Sequence, residues 1–99
     1  MKLYLVHVGF YDLDLCDGIY ESHANYFVAA EDFESARAKA KLLPDFKKRK
    51  MHVDGIQEID VIDGHDVTLT ANPAKAGLTR VVSHRHRDLA PKPAPPATP

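Results

Sequence analysis

Lys2-Leu3-Tyr4-Leu5-Val6-His7-Val8-Gly9-Phe10 is the stretch on which the fold turns. In an extended chain, alternation places Leu3, Leu5 and His7 on one face and Tyr4, Val6, Val8 and Phe10 on the other. The run is interrupted by His7, is too short to span a membrane and is not followed by a small-residue cleavage site. It therefore reads as a strand that is apolar on both faces. One helix covers only one side of a small sheet, so the other side calls for a partner chain, the C-terminal tail or a larger assembly.

Downstream, a polar loop runs from Tyr11 to about Tyr20, and His23 to Ala30 reads as a second strand, with Tyr26 and Val28 on one face and Phe27 on the other. Asp32 is a natural N-cap for a helix reaching about Leu43, because Phe33, Ala36, Ala40 and Leu43 recur at helical spacing and Pro44 ends the run. After a loop containing Lys47 to Lys50, His52 to Ile62 reads as a third strand with a bulge at Gly55. Asp63-Gly64 signals a tight turn into a fourth strand carrying Val67 and Leu69. The expected fold is α+β: a β-β-α-β-β unit, one helix on a mixed sheet, over residues 1–74, followed by a basic Pro-rich tail over 75–99.

Composition sets limits on function. The chain has 99 residues, and a compact body ending near Asn72 buries only about 60% of its unfolded surface, which favours pairing. Cys16 is the single cysteine, so no intrachain disulfide forms and the cytoplasm is the expected compartment. Residues 1–74 carry eight Lys or Arg against thirteen Asp or Glu, a balance of −5, whereas the tail carries five against one, a balance of +4. The acidic body argues against nucleic acid, even though Lys47 to Lys50 and the tail are basic. Those four residues follow a helix C-terminus, where the dipole and solvation account for them. The tail lacks the apolar content to pack alone and is expected to be flexible and dispensable for folding, although Leu78, Val81 and Val82 offer material for an edge strand.

The pieces Met1-Lys2-Leu3-Tyr4-Leu5-Val6, Glu21-Ser22-His23 with Tyr26-Phe27-Val28-Ala29, His52-Val53-Asp54 and Val61-Ile62-Asp63-Gly64, in that order, resemble the bacterial domain of unknown function family 1543. Members of that family often hold two copies of the unit, so the resemblance implies a homodimer for a single-copy chain. The chain departs from the family pattern at Gly9-Phe10, where a Gly-Gly is usual, and at His7, where an apolar residue is usual.

Chemistry-bearing residues concentrate at two strand starts. Glu21 and His23, and likewise His52 and Asp54, are two apart and so co-facial in extended chain. A single helix joins the second and third strands, so they run parallel, and their starts lie at one end of the sheet. Two imidazoles and two carboxylates can meet there, as an acid-base set or as metal ligands drawn from His23, His52 and Asp54. The competing reading has these groups hydrogen-bonding loop backbone to order the strand starts.

Other candidates read as structural. Asp12, Asp14 and Asp17-Gly18 miss the spacing of a calcium loop, His7 reads as a core or interface histidine, and Cys16 as an ordinary loop thiol. The tail residues His84 and His86, and the Pro93 and Pro96 spacing, read as parts of a solvated arm. No sequence motif implies a cofactor or specifies a small ligand, and no catalytic motif is present. The sequence leans away from an enzyme and toward a non-catalytic homodimeric binding or interaction module. The alternative is a small enzyme or metal-binding protein using Glu21, His23, His52 and Asp54.

Overall fold

The first strand is the centre of the sheet. In the computed structural model, which describes residues 1–91, β1 (Lys2–Tyr11) pairs along its whole length with β2 (Glu21–Ala30) and on its other edge with β3 (His52–Ile59). The Pro93 and Pro96 spacing lies outside the described residues. The sheet order is β2-β1-β3. The chain is α+β as expected, but the sheet is not mixed: both pairings are antiparallel, because β2 and β3, which share a direction, are separated by β1.

One face of this sheet is the core. Tyr4, Val6 and Val8 are fully buried, and Val28, Ala30, Ala36, Ala40 and Met51 complete the cluster. The cover comes from α1 (Phe33–Lys41) and α2 (Pro44–Lys48). Ala36 and Ala40 of α1 are small enough to let the helix approach the sheet closely, and Phe33 meets Tyr4 edge-on at a centroid distance of 5.1 Å. At the start of α1, Asp32 Oδ1 accepts the Ser35 backbone N–H at 2.7 Å. Those bonds hold the Asp32 carboxyl below its usual range. The cap's contribution is thus present above the unfolded carboxylate range and is lost as pH falls through the lowered folded value.

Several expectations are corrected. Pro44 ends α1 but also opens α2, since a proline at the first helical position gives up no needed hydrogen bond. Lys47 and Lys48 therefore lie in a helical turn and not in a loop. The third strand stops at Ile59 because its last partner is Leu3, next to the start of β1. Beyond it the chain folds on itself: β4 (Val61–Ile62) pairs with β5 (His65–Asp66) across Asp63-Gly64, both at positive φ as the tight turn requires. Val67 and Leu69 lie past this short hairpin and outside any strand.

Val6 and Val8 belong to the helix-covered core, so they are not available to a second chain, and β1 has no free edge to offer. The face without a helix carries Leu3, Leu5 and His7, all half-buried, together with Phe27 at 44% exposure. No helix among the described residues is long and apolar enough to cross a membrane.

In the tail, Leu78, Val81 and Val82 form no strand and stay at least half exposed. Truncation after Ala71 is accordingly expected to change the melting temperature by no more than about 2–3 °C, the equivalent of a few tenths of a kcal/mol in a domain this size. A drop of ten degrees or more in calorimetry would show that Leu78, which borders a cavity along β2 with Phe27 and Leu43, packs structurally.

Candidate functional site

The register of the sheet assembles the site. Gly9 pairs with His23 on one side and with His52 on the other, so two histidines flank a residue with no side chain. Glu21 precedes His23 by two residues on β2. On β3 a register shift opposite His7 and Val8 leaves Asp54 as the extra residue of a bulge, with Gly55 opposite His7. Bulges re-aim side chains, and this one keeps Asp54 on the same face as His52. The bulge expected at Gly55 thus forms one residue earlier, at Asp54.

The four side chains meet over Gly9. His52 Nε2 lies 2.9 Å from Glu21 Oε1 and 3.1 Å from Asp54 Oδ1. His23 Nε2 lies 3.3 Å from Glu21 Oε1 and 3.4 Å from Asp54 Oδ2. Carboxylate and imidazole alternate around a closed ring. Among the described residues the polar side-chain partners of these four groups are one another, not loop backbone, so they tie the strand ends to each other directly. Their side chains are about one-third to one-half exposed, between 31% and 48%, so the ring sits on an open face and not in a closed pocket.

Gly9 is the residue that sequence alone does not single out. Its backbone is ordinary strand, but a Cβ there would stand 2.6 Å from Asp54 Oδ2 and 2.7 Å from His52 Nε2 and would collide with Glu21 Oε1. Space, not conformation, demands glycine. The available signal was a glycine in a strand otherwise interrupted only by His7, a pattern that marks close approach of another group.

His7 lies two residues before Gly9 on the same face. Its ring stacks on that of His23, with centroids 4.8 Å apart and planes 14° from parallel. Its Nδ1 is 2.7 Å from Asn25 Oδ1, so the half-buried imidazole is satisfied. Tyr11 approaches His52 from the loop end at a centroid distance of 6.5 Å.

The other candidates lie elsewhere. Asp12 Oδ1 accepts the Asp14 backbone N–H at 2.9 Å, a local turn, and Cys16 is exposed at positive φ. Lys48, Arg49 and Lys50 rim a concavity of about 440 Å³ over Phe10 and Leu13, and the Arg49 guanidinium stands 5.4 Å from the Phe10 ring centre. That stacking commits Arg49 to packing. His84 and His86 are exposed in the tail, away from any strand.

No protein-family model, curated protein or solved structure matches the chain.

Proposed function

We propose that this chain is a non-catalytic binding module for a divalent transition-metal ion, held over Gly9 by Glu21, His23, His52 and Asp54. The observation that carries the reading is the ring of imidazole–carboxylate separations of 2.9–3.4 Å. Donors on a tetrahedral ion with bonds of about 2.0–2.2 Å stand about 3.3–3.6 Å apart, and the ligand atoms of Glu21, His52 and Asp54 already lie within 4.8 Å of one another, with His23 beside them. Two imidazoles with two carboxylates suit zinc and its borderline neighbours better than calcium or magnesium, which take oxygen alone. The open face favours binding over catalysis, which gains most in a water-excluded site. The test is titration of the full chain with Co(II), followed by its ligand-field absorption. We expect bands that His52→Ala and Asp54→Asn abolish and that His84→Ala with His86→Ala leaves intact. Bands that vanish only with the tail histidines would overturn the proposal.

The same face supports a homodimer. Leu3, Leu5, Phe27 and Ile59 share it, and no helix among the described residues covers it. Full burial of such a side chain is worth about 1.5–3 kcal/mol, and a two-fold interface recovers the still-exposed share of it on both chains. We expect light scattering at tens of micromolar to report a dimer, and Leu5→Asp to report a folded monomer because Leu5 points away from the core. A wild-type monomer would contradict this. The resemblance to family 1543 points the same way, and a bacterial, cytoplasmic protein is part of the same proposal.

A further inference from the structure

Asp54 belongs to two triads, not one. Glu21, His52 and Asp54 offer ligand atoms that all lie within 4.8 Å of one another, and so do His7, His23 and Asp54. The two carboxylate oxygens of Asp54 are already divided between them: Oδ1 is 3.1 Å from His52 Nε2 and Oδ2 is 3.4 Å from His23 Nε2. From this division we propose that the site holds a pair of divalent ions bridged by the Asp54 carboxylate, with Glu21 and His52 completing one position and His7 and His23 the other. The proposal rests on the metal-binding reading above, keeping one ion on Glu21, His52 and Asp54 and assigning His23 to a second.

Three features support the second position. His7 and His23 are diagonal neighbours across β1 and β2 on the same side of the sheet, and their stacked rings, 14° from parallel, turn edge-on for both lone pairs to reach one ion. Asn25 Oδ1, at 2.7 Å, accepts the hydrogen bond of the His7 Nδ1–H, which leaves His7 Nε2 as the free lone pair. A hydrogen bond of this kind fixes tautomer and ring direction in metal-ligating histidines. Finally, a carboxylate that bridges through both oxygens holds two ions about 3.5–4 Å apart, the spacing of two-metal centres, and this matches an Asp54 whose oxygens face different histidines. The bulge that frees Asp54 from the β3 ladder is what lets one carboxylate serve both sides.

The test is Mn(II) stoichiometry by equilibrium dialysis of the full chain, beside His7→Phe and His7→Gln, with circular dichroism to confirm that each is folded. We expect two ions per chain in the wild type and one in either variant, with the remaining ion's affinity within about tenfold of wild type, as for an outer-shell change. Electron paramagnetic resonance of the doubly loaded wild type should show exchange-coupled Mn(II). One ion in both wild type and variants would overturn the pair while leaving the single-ion reading intact. Two ions retained by the variants would place the second elsewhere, the tail histidines included, and would also overturn it. No Mn(II) in the wild type would overturn the pair, and with no Co(II) bands as well would end both readings. If neither variant folds, uncoupled Mn(II) spectra from the wild type would decide against the pair.

Discussion

Gly9→Ala is expected to weaken divalent-metal binding by about a hundredfold or more, the upper range for disturbing the support of a metal site, while shifting the melting temperature by only about a few degrees. A methyl group there enters the space where Glu21 Oε1, Asp54 Oδ2 and His52 Nε2 converge. All three atoms are the far ends of side chains on a partly exposed face, so they can swing toward water at little cost to the fold. The strand itself tolerates alanine, which loses less backbone freedom on folding than glycine. A structural glycine would behave otherwise, because its replacement would lower stability and affinity together. Calorimetric titration beside thermal melting separates the cases, and unchanged affinity in a folded Gly9→Ala chain would contradict the site.

Most of the site was legible from spacing. Glu21-x-His23 and His52-x-Asp54 are co-facial by the period of a strand, and the helix between them makes their strands run the same way. Those two inferences bring all four residues to one end of the sheet, whichever strand lies between. That the intervening strand is β1 depends on long-range pairing, so the part played by Gly9 was hidden. The same holds for His7: its face was clear from alternation with Leu3 and Leu5, but its neighbours His23 and Asn25 come from the register with β2. Alternation through Ile62 and across Val67 and Leu69 suggests a longer third strand and a full fourth one, but it does not reveal that beyond Leu3 only Lys2 of β1 is left to pair.

Val6→Asp is expected to leave no cooperatively folded protein at 25 °C. Val6 has no exposure and sits between Tyr4 and Val8, which have none either, beneath Ala36 and Ala40. An ionised carboxylate there has no cation to pair with in the apolar cluster, and burying it costs several kcal/mol beyond the lost packing. Small domains hold only about 5–15 kcal/mol in total, and one this size lies toward the lower end. Leu5→Asp, one residue away on the opposite face, should by contrast stay folded. Circular dichroism through a thermal ramp distinguishes the pair. A Val6→Asp chain melting near the wild-type temperature would mean that α1 does not cover this face in solution.

Metal binding at the β2–β1–β3 end of the sheet is tested most directly by nuclear magnetic resonance of the ring nitrogens of the six histidines in the full chain during titration with Zn(II). Long-range proton–nitrogen spectra report which imidazole binds and through which nitrogen. Within the first equivalent, the Nε2 resonances of His23 and His52 should move to the metal-bound position while those of His84 and His86 stay in place. Zinc that perturbs His84 and His86 first, or leaves His23 and His52 unshifted at saturation, would contradict the account.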